Sequence, residues 1–228
     1  MARSSKIHET ALGVPPQGFH RRNILTGIAS GAVLLAAGRA AKAACALTPS
    51  QSEGPFYPLV IKDYDWDLTS VFSGTGRAEG EVIEVIGQVL DAKCQPMPGS
   101  VVEVWQANVH GRYEHLGDRS RGRPLDPNFQ GYAKLATDNT GRYRFQTIIP
   151  GSYPATRDWI RPPHIHFKIN APFGRSVTTQ MYFAGEPLND KDLLLAPLSR
   201  EQRASLEVQF DNVSSDGIRT GIFNLTIA

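Results

Sequence analysis

Cysteine is scarce in this chain of 228 residues: Cys45 and Cys94 are the only two, and they are not close enough in sequence to form a C-x-x-C pair. This excludes a cysteine-based zinc site and a thioredoxin-type redox motif. Low-complexity tracts and repeats of fixed period are also missing, so we expect one globular domain plus a leader. In an oxidising compartment the two cysteines predict a disulfide, worth about 4 kcal/mol on the chain-entropy estimate. Two unrelated free thiols are the alternative.

Residues 44–228 have no excess of basic residues. Residues 1–43 carry six of the 24 Lys and Arg but one of the 22 Asp and Glu, which leaves 18 basic against 21 acidic residues in the remainder. The remainder also has no basic stretch interleaved with aromatic residues. Nucleic acid is therefore excluded as an expected partner.

The leader, residues 1–43, is typical of an export signal. Arg21-Arg22 precedes the uncharged stretch Asn23–Gly38, and Ala41–Ala43 offers an A-x-A cleavage site. A stretch of this length is short for a membrane span, which needs about 20 apolar residues. We expect export by the twin-arginine route to the periplasm or the extracellular space, with no stable membrane span after cleavage. A Sec-type signal or an uncleaved anchor is the alternative.

Residues 44–228 are predicted to form an all-β domain with an antiparallel β-sandwich core, long functional loops and one short helix. Asp138–Gly141 predicts a hairpin turn, and Ser199 followed by Gln202 predicts a capping box for a helix through Val208. Long connections at Tyr113–Gln130 and Pro150–Pro163 are typical of functional loops. Seven β-rich runs predict the strands: Val82–Leu90, Val101–Gln106, Tyr132–Ala136, Arg142–Thr147, His164–Ile169, Val177–Phe183 and Gly221–Ile227.

A pair of histidines, His164 and His166, stands in one of these strands. Side chains two apart in a strand share a face, so both imidazoles can converge on one ion. The pair alone is weak evidence, because a solvated face gives the same pattern, and two ligands are too few for a stable metal site. The other histidines of the domain are His110 and His115, and the next acid after the pair is Glu186, which is too distant for a cupin.

Several long motifs in order then resemble the intradiol ring-cleavage dioxygenases, most closely the iron-bearing β subunits of the protocatechuate 3,4-dioxygenases. The motifs are "EGPFYP" from Glu53, "VEVWQANVHGRYEH" from Val102, "PLDPNFQGYAKLATDNTGRYRFQTIIPGSYP" from Pro124, "RPPHIHFKI" from Arg161 and "TQMYF" from Thr179. The resemblance implies cleavage of a catechol ring by O2, between the two carbons that carry hydroxyl groups, to a cis,cis-muconate-type diacid.

The resemblance also implies one non-haem Fe(III) held by Tyr113, Tyr153, His164 and His166. Phenolate oxygens suit a hard ferric ion, and the charge of such an ion lowers the pKa of a tyrosine from about 10. Tyr153 is further expected to accept a substrate proton. Taken singly, each tyrosine could equally be an ordinary amphipathic residue at the rim of the domain, without a role in metal binding.

Three more residues receive roles from the resemblance. Arg161 is expected to stabilise negative charge on the substrate, for which a guanidinium is well suited. Gln180 is expected near the iron-bound hydroxide. Trp105 is expected in the wall of the substrate pocket, although a tryptophan in a sandwich core needs no such role.

The sequence departs from the protocatechuate pattern in ways that leave the substrate open. Ala155 stands where the family's β subunits carry an aromatic residue after "PYP", and the connection from Tyr153 to Arg161 is short. The expected partners are O2 and protocatechuate or another substituted catechol, with homo- and hetero-oligomers both open. Two alternatives remain: an exported dioxygenase for larger catecholic compounds, and a secreted β-sandwich binding module without catalysis.

Overall fold

A computed structural model describes residues 45–59, 61, 65–72, 74–120 and 122–228. The predicted signal, residues 1–43, lies outside the described residues. Across the described ranges, no helix has the length and apolar character needed to cross a membrane. The regular elements are β1 (Val82–Asp91), β2 (Val101–Trp105), β3 (Tyr132–Ala136), β4 (Arg142–Ile148), β5 (Tyr153–Pro154), β6 (Ile160–Arg161), β7 (His164–Ala171), β8 (Arg175–Phe183), α1 (Arg200–Leu206), β9 (Glu207–Val208), β10 (Asn212–Val213), β11 (Arg219–Ile222) and β12 (Leu225–Ile227). Two short 3-10 helices cover Pro172–Gly174 and Pro187–Lys191.

Two five-stranded sheets form the domain, which confirms the predicted β fold. One sheet has the order β10-β11-β1-β12 with β4 also paired to β1, the other has the order β3-β2-β7-β8-β9, and β5 and β6 make a separate two-stranded ribbon. The long ladders are antiparallel. Three shorter pairings, β1 with β11, β1 with β12 and β8 with β9, are parallel.

Apolar side chains from both sheets meet in one continuous core. Burial alternates along β1, as expected for a strand with one face on the core. Along β2 and β7 nearly every residue is buried. The inner face of these two strands contributes Val102, Val104, Ile165 and Phe167 to the core, so their other face must be covered by loops. That covered outer face carries the candidate site.

The structure corrects three predictions about the elements: one strand pairing, one strand that is in fact two, and one helix end. The turn at Asp138–Gly141 is present, with Gly141 N donating to Asp138 O at 2.9 Å, but the hairpin prediction is wrong, because β3 and β4 lie in different sheets. The predicted last strand is two strands, β11 and β12, that pair with successive parts of β1. Helix α1 keeps its capping box at Ser199 but ends at Leu206, because the next two residues pair with β8.

The first described residue is tied to the turn after β1. Cys45 and Cys94 form a disulfide with their Cα atoms 5.3 Å apart. From there the chain runs along the second sheet, where Gln51 N donates to Thr178 O at 2.8 Å. This path delivers residues 52–57 to the candidate site.

Gly87 allows a tyrosine to cross β1. The hydroxyl of Tyr143, on the neighbouring strand β4, donates to the carbonyl oxygen of Phe223, at the break between β11 and β12. A Cβ at position 87 would overlap that carbonyl oxygen and lie 2.6 Å from Tyr143 Oη.

We therefore expect Gly87→Ala to lower the free energy of unfolding by about 3 kcal/mol, because neither the backbone nor the fully packed ring can move away. Urea denaturation measures the change. The matched control is Gly122→Ala, where the added carbon meets nothing within 4 Å. Equal free energies of unfolding for the two variants would contradict the close contact of Gly87 with Tyr143 and Phe223.

Candidate metal centre

The outer face of β7 presents both histidines of the motif. His164 and His166 are each 2% exposed. The Nδ1 atom of His164 lies 2.7 Å from the carbonyl oxygen of Pro162. Because a carbonyl oxygen only accepts, Nδ1 carries the proton and Nε2 keeps a free lone pair. The strand therefore fixes the tautomer that a metal ligand needs.

Two tyrosines from the long loops meet this nitrogen. The Oη atoms of Tyr113 and Tyr153 lie 3.4 Å and 3.5 Å from His164 Nε2. Their rings are perpendicular, with centroids 5.5 Å apart, and both side chains are buried. The structure thus brings together three of the four predicted ligands around one point.

Hydrogen bonds between the two loops hold the tyrosines in place. Gly151 N donates to Asn108 O at 2.9 Å, and Arg123 Nη1 donates to Ser152 O at 2.8 Å. Gly111 has a φ of +69° and lies so close to Ser152 that any side chain there would overlap it. The sequence "NVHGRY" is therefore a turn that lets one loop pack directly on the other.

His166 is packed against two neighbours. Its ring stacks on the indole of Trp105, with centroids 4.8 Å apart and planes 6° from parallel. The chain at Gly54 also passes close to the ring, since a Cβ there would lie 3.3 Å from His166 Cε1. The centroids of His164 and His166 are 4.9 Å apart. His166 therefore has one fixed ring plane next to the point where His164 and the tyrosines meet.

The electrostatics keep both imidazoles neutral. Burial, with the charge of Arg161, lowers the pKa of His166 to about 3, and the same two causes bring the pKa of His164 well below its usual value. Burial raises the pKa of Tyr113 and of Tyr153, and Arg161 opposes this at both. Neutral imidazoles are ready ligands, whereas these phenols need a nearby cation to ionise.

These residues fit a ferric ion. Among the described residues His166 Nδ1 is a buried ring nitrogen without a hydrogen-bond partner, and two phenol oxygens face the free nitrogen of His164. No group of three or more His, Cys, Asp and Glu that could hold a metal occurs in the described part of the chain. The donor set is therefore two phenols and two imidazoles, a set with the hard oxygen ligands that Fe(III) prefers and without thiolates.

Arg161 lies beside this centre in a buried network. It pairs with Tyr153 across the β5–β6 ribbon. Its Nε donates to Asp192 Oδ2 at 2.7 Å, and its Nη2 donates to Gln180 Oε1 at 2.7 Å and to Tyr182 Oη at 3.1 Å. Gln180 in turn donates to Ser52 O. The structure thus places Arg161 and Gln180 in direct contact with each other.

Sequence reasoning missed Asp192 and Tyr182. Asp192 is fully buried, and besides Arg161 it accepts hydrogen bonds from the backbone N–H groups of Leu194 and Leu195. It follows a short 3-10 helix, outside every motif, so no sequence signal could have identified it.

We expect Asp192→Asn to lower the free energy of unfolding by about 3 kcal/mol, because it leaves the buried guanidinium without a counter-charge. Chemical denaturation checks this. Asp190→Asn is the matched control, since its pair with Arg203 is on the surface, where the aspartate side chain is 84% exposed, and it should change stability by less than about 1 kcal/mol. If Asp192→Asn had the same free energy of unfolding as the wild type, the pair of Asp192 with Arg161 would contribute nothing to folding.

A cavity of about 300 Å³ opens beside Tyr153 and Arg161. The other lining residues come from the segment after Cys45, from the loop after Tyr113, from the β5–β6 ribbon with its connection, and from the segment after the second 3-10 helix: Ser52, Gly54, Pro55, Phe56, Asp118, Ser120, Pro154, Ala155, Trp159 and Leu194. Trp105 is not among them. Trp105 is fully buried, stacks on His166 and lines a separate, smaller cavity together with Phe56 and Tyr113. Its place in the wall of the substrate pocket stays a prediction.

Comparison with known proteins agrees with this geometry. The family described as Dioxygenase matches residues 52–226. A protocatechuate 3,4-dioxygenase beta chain from Burkholderia cepacia is 49% identical over 128 residues, which are 54% of this chain and 54% of the relative. A catechol 1,2-dioxygenase from Acinetobacter baylyi is 31% identical over 65% of this chain and 50% of its own length. The chain thus spans about half the length of the curated relatives it matches.

A solved structure shows the same fold over nearly its whole length. The dioxygenase domain of a dioxygenase and carbohydrate-binding protein fusion, from the cellulolytic bacterium Streptomyces sp. SirexAA-E, is 32% identical, with a TM-score of 0.58. The match covers 79% of this chain and 97% of that domain. Together with the match over residues 52–226, it leads to one assignment: the chain belongs to the intradiol ring-cleavage dioxygenase family.

Proposed function

We propose that the chain is a non-haem Fe(III) intradiol dioxygenase that cleaves a catechol between its hydroxyl-bearing carbons. Both atoms of O2 enter the product, a cis,cis-muconate-type diacid, so no other reductant is needed. The observation that carries the proposal is the meeting of Tyr113 Oη and Tyr153 Oη at His164 Nε2, with His166 alongside.

Tyr113, Tyr153, His164 and His166 would hold the metal. When bound, Fe(III) supplies a Lewis acid that favours the deprotonated catechol and makes its ring reactive toward O2. Trp105 keeps the ring of His166 in one plane. The hydrogen bond from His164 Nδ1 to Pro162 O keeps His164 Nε2 directed at the tyrosines.

Protons and charge are handled by residues on the cavity side. Tyr153 lines the cavity, which supports a role for its Oη in taking a proton from a substrate hydroxyl. The guanidinium of Arg161, fixed by Asp192 and Gln180, provides a preorganised positive charge for the ring as it becomes anionic. Gln180 acts on the site through Arg161.

The substrate class we propose is the substituted catechols, to which protocatechuate belongs. The relatives named above are a protocatechuate 3,4-dioxygenase chain and a catechol 1,2-dioxygenase, and the open cavity leaves space for a substituent. A binding module without catalysis is disfavoured, because it has no use for buried phenols and imidazoles that meet at one point.

Oxygen uptake with catechol and protocatechuate tests the proposal, with the product identified by mass spectrometry after reaction in 18O2. We expect uptake equimolar with ring cleavage and both labelled atoms in the diacid. A product cleaved beside the diol, or no uptake by protein that contains iron, would overturn the assignment.

We also propose that residues 1–43 direct export by the twin-arginine route. The proposal is supported by Arg21-Arg22 ahead of an uncharged stretch and by the Cys45–Cys94 disulfide, a bond typical of oxidising compartments. Replacement of both arginines by lysine should keep the chain in the cytoplasm, as followed by cell fractionation. Unchanged export of this variant would contradict the route.

A further inference from the structure

We propose that the cavity beside Tyr153 and Arg161 selects catechols with a bulky, uncharged substituent over catechols with a carboxylate. The inference rests on the proposed function and names the substrate class of that same site. It is argued from the shape of the cavity and from the charges on its wall.

The cavity runs from a buried end to an open mouth. Tyr153, Arg161 and Asp118 are buried, whereas Pro154 and Ala155 are exposed. A catechol with its hydroxyl groups at the Tyr153 end directs a substituent on the far side of its ring toward the mouth. Such a substituent passes Ala155, whose methyl group is the smallest that an L-residue offers, so the mouth has space for bulk.

Much of the cavity wall is apolar. Phe56, Trp159 and Leu194 line the cavity, and each of them is half-buried. Trp159 is held on the guanidinium of Arg161, with 5.3 Å from that carbon to the ring centroid. Aromatic and aliphatic surfaces of this kind bind an uncharged substituent by burying its apolar area.

The charges on the wall do not favour an anion. The described lining residues include two charged side chains, Asp118 and Arg161. Arg161 is already paired with Asp192 and lies at the reacting end. Asp118 is a buried carboxylate fixed by hydrogen bonds from Tyr113 N at 2.8 Å and from Ser120 N at 2.9 Å. A carboxylate on a substituent would therefore exchange part of its water for an apolar wall, without an unpaired cation among the described lining residues and with a buried carboxylate in the same wall.

The first test compares 3,4-dihydroxyphenylacetate with its methyl ester on the wild-type enzyme. In both substrates a methylene group separates the ring from the carboxyl group, so their ring electronics are similar and they differ in charge. We expect kcat/KM for the ester to exceed that for the acid by about tenfold, since partial loss of the hydration of an unpaired charge costs about that much in transition-state binding. Equal values, or a preference for the acid, would overturn the proposal.

The second test narrows the mouth. In Ala155→Trp we expect the ratio of kcat/KM for 4-tert-butylcatechol to that for catechol to fall by about tenfold, and Ala155→Leu should give a smaller fall in the same direction. Thr156→Trp is the matched control, because Thr156 is exposed and does not line the cavity, and it should keep the wild-type ratio. An unchanged ratio in both Ala155 variants would contradict the inference.

Failure of the inference can be told apart from failure of the proposed function. If catechol itself is cleaved but the ratios do not move, the substrate class is wrong and the dioxygenase assignment stands. If no diol is cleaved by protein that contains iron, the assignment itself is wrong.

Discussion

His166→Ala is expected to yield a colourless protein without bound iron and without ring-cleavage activity. The substitution removes one of two imidazoles from a centre whose remaining donors are His164 and the two phenols. Those phenols have a pKa raised by burial, so they need a tightly held cation in order to ionise. Loss of one neutral donor therefore weakens the other ligands as well, and the effect on iron content should be close to complete.

Iron content by elemental analysis and the visible spectrum measure this. His110→Ala is the matched control: His110 contacts Glu79 on the surface, and its loss should leave both iron and colour unchanged. Trp105 would lose its stacking partner in His166→Ala, so circular dichroism must show that the fold is kept. A folded His166→Ala protein with full iron would remove His166 from the ligand set.

Tyr153→Phe is expected to keep iron but to lower kcat by about 10²–10⁴-fold, the range typical of the loss of a positioned proton acceptor. The variant keeps the buried ring and loses only Oη, which lies 3.5 Å from His164 Nε2. Because Tyr113 remains as a phenol ligand, we expect a visible band that is shifted and weaker but still present.

Steady-state oxygen uptake and the absorption spectrum check this prediction. Tyr143→Phe is the control, since Tyr143 is a buried tyrosine whose hydroxyl bonds to the carbonyl of Phe223, in the core and away from the cavity. It should cost stability and leave kcat within about twofold of the wild type. If Tyr153→Phe turned over at the wild-type rate, the proton-accepting role would be wrong.

Much of the fold follows from local patterns in the sequence. The alternation of apolar residues along β1 and the capping box at Ser199 are local signals, and both elements form, although α1 ends two residues before its predicted end. The pairing of strands is not local. The turn at Asp138–Gly141 has hairpin chemistry, yet β4 pairs with β1 instead of β3. Partner choice depends on which faces the whole sandwich buries, and a turn motif carries no information about that.

The candidate site shows the same division. The placement of His164 and His166 on one face follows from the two-residue period of a strand. The register that sets Trp105 opposite His166, and His166 opposite Gln180, joins three strands and appears only in the structure. Asp192 reaches Arg161 across 31 residues of sequence. A contact of that kind has no periodic or motif signature, so sequence reasoning could not find it.

The visible absorption spectrum of protein matured in its native host, read together with its iron content, tests the central claim most directly. Two phenolates on one ferric ion predict equimolar iron and an intense tyrosinate-to-Fe(III) charge-transfer band, which should bleach on reduction and disappear in His166→Ala. A colourless, iron-free protein that is correctly folded and binds catechols without cleaving them would contradict the account.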